Sequence, residues 1–225
     1  MNFLVLIPAR DGSTRIKKKN LKKINGKHLI EYTYKSLEFL KDKKNFRLVL
    51  SSDSKEIISF TKKKYNFINI QKRSKKLATN KSEISELLIH LKKINYFKGF
   101  DYLVLLSPCS PMRDIKDIKN FFLRLTKEMP ECLISITDVE KPLNWSLKLN
   151  NNGYLKKIFN NSTKLFSKIF IPNGAFYGFS LKKKNIDFKN FYNNKVKYFY
   201  MDRSRSLDID NLNDLKLFRL MNKRK

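Results

Sequence analysis

The stretch that decides the fold reads Phe3-Leu-Val-Leu-Ile-Pro-Ala-Arg-Asp-Gly-Ser-Thr-Arg-Ile-Lys-Lys-Lys-Asn20. Its first five residues are apolar without alternation, which is typical of a strand covered on both faces in a parallel sheet. Pro8 ends this strand because it has no backbone N–H to donate. In the loop that follows, Gly12 and Ser13 allow a sharp turn with outward-pointing N–H groups. Basic side chains surround that turn: Arg10, Arg15, Lys17, Lys18 and Lys19. Such a loop predicts an anion site, most simply for a polyphosphate, and a solvated basic loop is the alternative.

Strand-like and helix-like patterns alternate along the chain. Strand patterns cover residues 46–50, 69–72, 102–106, 132–137, 175–179 and 197–200, and helix patterns cover 29–40, 55–65, 86–96, 115–122 and 213–221. Asp53 or Ser54 is the candidate N-cap of the second helix, and Asp114 that of the fourth. We therefore predict an α/β fold, a mostly parallel sheet with helices on both faces. Ligands of such sheets bind outside the carboxyl ends of the strands, where the basic loop should lie.

The segment at about residues 140–172 differs from the rest of the chain. Residues 146–149 followed by the turn at 150–153 predict a hairpin, and residues 154–170 contain Lys and Phe without a clean period. We therefore expect one domain, residues 1–225, with an excursion at about 140–172. A floppy surface insert is the alternative for that excursion.

The strongly basic composition raises the question of nucleic acid. The chain has 49 Lys and Arg against 20 Asp and Glu, a net charge of +29, but its lysines are spread from Lys17 to Lys225. No zinc-finger spacing and no aromatic RNA-binding signature accompanies them. We therefore expect no specific nucleic-acid partner, although the charge favours weak contact with polyanions.

Cysteine and histidine usage narrows the compartment and the chemistry. Two cysteines, Cys109 and Cys132, cannot build a disulfide framework, which fits a reduced cytosol. The apolar run at residues 3–7 is too short for a signal peptide or a membrane span, so we expect a cytoplasmic protein without membrane contact. With only His28 and His90, an imidazole-rich metal site and a Ser-His-Asp hydrolase are poorly supported.

An acidic pair near the end of the chain is the second chemical signal. Asp208 and Asp210 are separated by Ile209. On an extended segment, side chains two residues apart point the same way, so both carboxylates could reach one hard cation such as Mg²⁺. A solvated loop pair is the alternative.

Five segments, in the same order, resemble the acylneuraminate cytidylyltransferases, also called CMP-sialic acid synthetases. They are Ile7-Pro-Ala-Arg-Asp-Gly-Ser13 with Lys19-Asn20, Gly26-Lys27 and Leu29-Ile30; Arg73 with Leu77-Ala78; Leu105-Leu-Ser-Pro-Cys-Ser-Pro-Met-Arg113; Asn173-Gly-Ala175 with Tyr177; and Leu207-Asp-Ile-Asp210. They span nearly the whole chain, so the resemblance is specific for the family and less so for the sugar. It implies a Rossmann-like fold, a homodimer and a small dimerisation subdomain at the excursion.

The reaction that the resemblance implies consumes CTP and a nonulosonic acid, a nine-carbon keto-sugar acid. The anomeric hydroxyl attacks the α-phosphorus, which gives a CMP-sugar and pyrophosphate, with Mg²⁺ as the cofactor. Such transfer asks the protein mainly for alignment and charge neutralisation.

The matching positions also imply individual roles. Arg10, Ser13 and Lys19 would hold the triphosphate; Ala9, Asn20 and Arg73 would contact the nucleotide; Asp208 and Asp210 would bind Mg²⁺; and Ser107, Asn173 and Tyr177 would contact the sugar. Arg10, Lys19 and Asp208 are the implied catalytic residues, and Arg113 is an implied loop anchor. From the residues alone, a turn position for Asn173 and a core position for Tyr177 are as well supported as contact with the sugar.

Departures from the family's pattern leave the substrate open. They fall at Thr14, Ser107, Lys141, Thr163 and Ile171. The family commonly has Arg where this chain has Thr163, and some members have Arg where it has Ile171. Without the planar guanidinium of Arg, a carboxylate is not bound at two points. Legionaminic and pseudaminic acid therefore compete with sialic acid as the substrate. Two alternatives stand beside this interpretation: activation of an octulosonic acid, as in the CMP-Kdo synthetases, and a catalytically degenerate protein that binds nucleotide or polyanion.

Overall fold

The computed structural model describes residues 1–139, 145–158, 169–183 and 185–222. Its strands are β1 (Phe3–Pro8), β2 (Lys23–Ile24), β3 (Lys27–His28), β4 (Phe46–Ser52), β5 (Asn69–Lys72), β6 (Tyr102–Leu106), β7 (Cys132–Asp138), β8 (Leu147–Leu149), β9 (Leu155–Lys157), β10 (Phe170–Ser180) and β11 (Val196–Tyr200). Its helices are α1 (Leu29–Leu37), α2 (Lys55–Lys64), α3 (Ile84–Lys93), α4 (Ile115–Glu128) and α5 (Leu212–Asn222). Over these ranges, none of the helices has the length and hydrophobicity that a membrane crossing requires.

Seven strands form one central sheet in the order β11-β7-β10-β6-β1-β4-β5. β1 pairs in parallel with both β4 and β6, and β5 continues the parallel half. β10 runs antiparallel to β6 and to β7. The predicted Rossmann-like, mostly parallel sheet is therefore confirmed, with one reversed strand inserted between β6 and β7.

The continuous apolar run of β1 is explained by burial on both faces of the sheet. Val5 belongs to one core cluster with Tyr34 of α1 and Phe121 of α4. Leu4 and Leu6 belong to a second cluster with Leu87 of α3, on the other face. Since successive side chains of a strand point to opposite faces, every residue from 3 to 7 must be apolar.

A third apolar cluster joins the two ends of the chain. Ile16 from the basic loop, Ile209 from between the two acids and Phe218 of α5 are all nearly inaccessible to solvent and share this cluster. The Ile209 N–H also donates to the Cys109 carbonyl oxygen at 2.8 Å. Burial of Ile209 therefore fixes the segment that carries Asp208 and Asp210 next to the loops that follow β1 and β6.

An irregularity in β10 shapes the edge of the sheet. Its pairing with β7 shifts register between Pro172 and Tyr177. Gly174 lies within this interval with φ of +73°, a conformation that side chains with a Cβ rarely adopt. The bulge therefore places the Asn173-Gly-Ala175 motif out of the regular ladder, at the same end of the sheet as the basic loop.

One of the two predicted helix caps is confirmed with its side-chain bond, and the other is confirmed in position only. The Asp114 carboxylate accepts the Asp117 N–H at 2.7 Å, as expected for the N-cap of α4. At α2, Ser54 occupies the N-cap position, but neither it nor Asp53 makes a side-chain capping bond there. Both side chains instead hydrogen-bond Asp11 in the basic loop, which competes for the same oxygens.

The predicted hairpin in the excursion is present. β8 and β9 pair antiparallel in a sheet of their own, and the side chains of both strands are exposed. Residues 140–144 and 159–168 of the excursion, which include Lys141 and Thr163, lie outside the described residues, whereas Ile171 lies exposed near the start of β10.

Candidate active site

Two adjoining cavities open at the carboxyl ends of the parallel strands. The larger has a volume of about 550 Å³ and the smaller about 180 Å³, and both are lined by Pro8, Arg10 and Ser107. We call them the large cavity and the small cavity. They form one cleft, because the three shared residues stand at the ends of the central strands β1 and β6.

Positive charge concentrates in the small cavity. Arg15 and Lys19 line it together with Asp210. The Lys19 ammonium donates to the Ile209 carbonyl oxygen at 2.7 Å and to Asp210 Oδ1 at 3.2 Å, and Arg15 lies 3.3 Å from Asp210 Oδ2. Burial alone would lower the pKa of Lys19, but its contacts with Cys109 and Asp210 outweigh it, and the pKa is raised. Lys19 is therefore a fixed cation at the cavity wall.

The basic loop is held in place by residues of neighbouring loops. The Asp11 N–H donates to Asp53 Oδ1 at 3.0 Å, and the Arg10 guanidinium donates to the Thr79 carbonyl oxygen. A Cβ at Gly12 would lie 3.0 Å from Asn80 Oδ1, so only glycine allows this close approach without a shift. These contacts fix the turn before any ligand enters.

The predicted phosphate and nucleotide contacts of this loop divide into accessible and buried groups. Ser13 and Asn20 line the small cavity. The Asn20 Nδ2 donates to the Arg10 carbonyl oxygen at 3.3 Å, whereas its buried Oδ1 has no hydrogen-bond partner within the described part of the chain. Ala9 is buried, its N–H donates to the Ser51 carbonyl oxygen at 2.9 Å, and it lines neither cavity. The unpartnered Asn20 Oδ1 is an acceptor that a ligand could satisfy.

Arg73 lies at the floor of the large cavity, beside Arg10. It is buried, and its Nε has no hydrogen-bond partner among the described residues. Burial, followed by the charge of Arg10, lowers the pKa of Arg73. A buried guanidinium that has an unpaired Nε and a second cation nearby favours a negatively charged ligand.

The two acids face different parts of the cleft. Asp210 lines the small cavity, and Asp208 lines the large one. Their segment has no regular secondary structure. Burial in the wall of the cleft, followed by the negative charge of Asp210, raises the pKa of Asp208. The charged form of Asp208 is therefore disfavoured here, and a bound cation or a proton would stabilise this side chain.

The oxygen-rich donor set is compatible with Mg²⁺. This ion is typically bound by one or two carboxylates together with phosphate oxygens and water. Asp208 makes no hydrogen bond or ion pair within the described ranges, so one carboxylate is available. Over the same ranges, no group of three or more His, Cys, Asp or Glu side chains forms a complete metal site. Phosphate oxygens of a substrate would have to complete the coordination.

The predicted sugar contacts lie in two different environments. Tyr177 and Ser107 line the large cavity. Asn173 is buried behind it, where its Nδ2 donates to Ser206 Oγ at 2.9 Å and its Oδ1 accepts from the Ser135 hydroxyl and from the Ala175 N–H. In this arrangement the Asn173 amide holds the β10 bulge against the loop before Asp208, and it is Gly174 that reaches the cavity.

Arg113 is the anchor that the resemblance implies. Its guanidinium donates to the Ala175 carbonyl oxygen at 2.8 Å, to Thr33 Oγ1 at 3.0 Å and to the Ser107 carbonyl oxygen at 3.2 Å. Burial lowers its pKa to about 9. Arg113 therefore ties α1, the loop after β6 and β10 together beneath the cleft.

Sequence reasoning missed two features of the site. Lys189 lines the large cavity, and Arg205 Nε lies 3.0 Å from Asp117 Oδ2 and 3.2 Å from Asp117 Oδ1, which anchors the loop before Asp208 to α4. Neither residue belongs to a motif or to a periodic pattern. Only the folded arrangement brings Lys189 to the cleft and Arg205 to Asp117.

Relatives with named activities are similar to this chain in sequence over nearly its full length. It is 27% identical to a pseudaminic acid cytidylyltransferase of Campylobacter jejuni, with 99% of this chain and 97% of that protein covered. It is 29% identical to a CMP-N,N'-diacetyllegionaminic acid synthase of Legionella pneumophila, with 93% and 91% covered.

Solved structures support the fold. A CMP:2-keto-3-deoxy-manno-octonic acid synthetase complexed with CTP superposes with a TM-score of 0.69 at 13% identity and covers 100% of both chains. The sequence profile of the family described as Cytidylyltransferase matches residues 4–201, which include β1, the basic loop and the β10 bulge. The chain belongs to this cytidylyltransferase family.

Proposed function

We propose that this protein transfers CMP from CTP to the anomeric hydroxyl of a nonulosonic acid and releases pyrophosphate. The observation that carries the proposal is the meeting of the basic loop and the Asp208 segment in one cleft of a cytidylyltransferase fold. The named relatives that act on pseudaminic and legionaminic acid support the nine-carbon acceptor.

Each part of the cleft has a role in this reaction. Arg10, Ser13 and Lys19 bind the triphosphate in the small cavity, and Asn20 and Arg73 contact the nucleotide. A bond forms between the anomeric oxygen and the α-phosphorus while the bond from the α-phosphorus to the bridging oxygen breaks, and the negative charge leaves with pyrophosphate. Arg10 and Lys19 stabilise that charge.

Asp208 accepts the proton of the attacking hydroxyl in this proposal. Its carboxylate lines the large cavity and makes no hydrogen bond or ion pair within the described ranges, so it is free to accept a proton there. Asp208 and Asp210 would hold Mg²⁺, which when bound neutralises charge on the phosphate oxygens.

We also propose a cytoplasmic homodimer. The exposed apolar side chains of the β8–β9 hairpin support it, since contiguous exposed apolar surface marks an interaction site. They are Trp145, Leu147, Leu149, Tyr154 and Leu155.

The test is pyrophosphate release by the purified chain with Mg²⁺, each of CTP, UTP and ATP, and a panel of sugar acids. We expect release only with CTP and a nonulosonic acid such as pseudaminic, legionaminic or sialic acid. Release with an octulosonic acid alone would assign the alternative substrate. No release with any sugar, from protein that binds CTP in a calorimeter, would identify a binding protein and refute the proposal.

A further inference from the structure

Lys189 lines the large cavity but not the small cavity, which the basic loop forms. It lies between two aromatic residues that also line this cavity, Phe188 and Phe191. Phe188 packs edge-on against Phe179 at 5.3 Å, and Phe191 packs edge-on against Tyr177 at 5.6 Å. Lys189 therefore places one positive charge on an otherwise aromatic wall.

The backbone around Lys189 is fixed by a hydrogen-bonded turn. Asp187 Oδ1 accepts the N–H groups of Lys189 and Asn190, both at 2.8 Å, and its Oδ2 accepts Asn193 Nδ2 at 2.9 Å. Asn194 closes the turn, since its Oδ1 accepts the Asp187 N–H at 3.1 Å. The backbone position of Lys189 is thus set before a ligand binds, which reduces the backbone entropy that binding must cost.

The ammonium group of Lys189 is available to a ligand. It makes no hydrogen bond or ion pair within the described part of the chain, and the neighbouring Asp187 carboxylate is already engaged by the turn. Lys189 is exposed, and among the described residues no carboxylate lies at hydrogen-bonding distance of its ammonium, so an anion in the cavity can pair with it.

The other cations of the cleft lie on the phosphate side. Arg10 lines both cavities and Arg73 lies beside it, whereas Arg15 and Lys19 line the small cavity only. A triphosphate bound by these groups leaves Lys189 to the second substrate. The remaining anion of a keto-sugar acid is the carboxylate on its anomeric carbon.

We infer that Lys189 recognises the carboxylate of the sugar acid, and that this chain itself supplies that charge from residues 187–194. The inference rests on the proposed function, and it makes Lys189 a specificity-determining residue that selects acidic over neutral sugars. Phe191 and Tyr177 would then cover the apolar substituents of the sugar.

Binding of the sugar acid by calorimetry tests this without turnover. The full chain is loaded with a CTP analogue that cannot release pyrophosphate and titrated with a nonulosonic acid, then with its carboxamide. Lys189→Met should weaken binding of the acid about tenfold, the loss expected for one hydrogen bond to a charged group. Lys189→Arg should bind nearly as well as the unmodified chain, and affinity for the CTP analogue should stay within about twofold in both variants.

The matched control is Lys182→Met, which removes a lysine that pairs with Asp101 at 3.1 Å at the opposite end of β6 and should change neither affinity. The unmodified chain should prefer the acid to the carboxamide about tenfold, and Lys189→Met should lose this preference. Equal binding of the acid by Lys189→Met and the unmodified chain, an equal loss for the CTP analogue, or a preference that persists in the variant would overturn the inference. Absence of pyrophosphate release instead refutes the proposed function, and the titration still decides the role of Lys189.

Discussion

The two cavities of the cleft are built in different ways. Most of the small cavity comes from one continuous loop, residues 8–20, and two of its cations, Arg15 and Lys19, are paired with Asp210. The large cavity draws on segments that are far apart in the chain, from Arg10 to Asp208. Among the described residues, its Asp208 and Lys189 side chains have no hydrogen-bond or ion-pair partner. A site made of one loop is rigid and readable as a motif, whereas a site assembled from many segments depends on the fold for its geometry.

This contrast predicts that changes on the large-cavity side affect the reaction more than binding of the nucleotide. The largest effect is expected for Asp208→Asn, which removes the proposed base. Turnover should fall about 100-fold or more, the usual contribution of a positioned acid or base. The apparent KM for CTP should change by less than about threefold, because the phosphate groups are bound mainly in the small cavity.

Steady-state pyrophosphate release at varied CTP measures both quantities. Asp42→Asn, an exposed carboxylate after α1, is the control and should behave as the unmodified chain. A variant Asp208→Asn with unchanged turnover would remove Asp208 from the mechanism and would break the comparison between the cavities.

The second effect belongs to the small cavity. Lys19→Ala removes an ammonium that is held against Asp210 and the Ile209 carbonyl oxygen. Loss of a charged hydrogen bond to the triphosphate should raise the apparent KM for CTP about tenfold. The KM for the sugar acid should stay within about twofold, the reverse of the Lys189→Met pattern.

Measurement of both Michaelis constants in one series separates the cavities directly. Lys23→Ala, an exposed lysine of β2, serves as the matched control. If Lys19→Ala left the KM for CTP unchanged, Lys19 would have no contact with the triphosphate and would serve only to neutralise Asp210.

The same contrast explains how much the sequence could predict. The run at residues 3–7 and the basic loop are local, so their strand, their turn and their charge follow from the order of the residues. The spacing of Asp208 and Asp210 identifies them as a pair, but it does not predict that they line different cavities. That depends on the burial of Ile209 in the third cluster, which fixes their segment. Lys189 could not be identified, since its position depends on a turn that Asp187 closes.

Two further differences have the same origin in long-range contacts. The antiparallel direction of β10 leaves no mark on its apolar pattern, which is the same for either direction. Asp53 and Ser54 read as helix caps, yet their side chains bind the basic loop, 42 and 43 residues away along the chain. Local propensity predicts the helix start at Ser54 correctly, but it does not predict the side-chain partners, because these oxygens bind Asp11 instead.

The smallest of the expected effects tests how the fold positions the large-cavity acid. Arg205 lies in the single helical turn Arg203–Arg205, and its Nε contacts both carboxylate oxygens of Asp117 at the first turn of α4. Arg205→Met removes this anchor and leaves the loop before Asp208 freer to move. Asp208 is still present in this variant but is less well aligned with the attacking hydroxyl. We therefore expect turnover to fall about fivefold, with the KM for CTP unchanged.

A purely structural role for Arg205 would lower stability without this kinetic pattern, so thermal unfolding is measured beside turnover. Arg124→Met is the matched control, because Arg124 pairs with Glu128 at the other end of the same helix at 2.7 Å and lines neither cavity. Arg205→Lys should recover part of the lost turnover, since a lysine keeps one contact to Asp117 but not the planar fork of arginine. If Arg205→Met and Arg124→Met lost the same stability and neither lost turnover, the Arg205–Asp117 pair would support α4 only, and the burial of Ile209 would suffice to position Asp208.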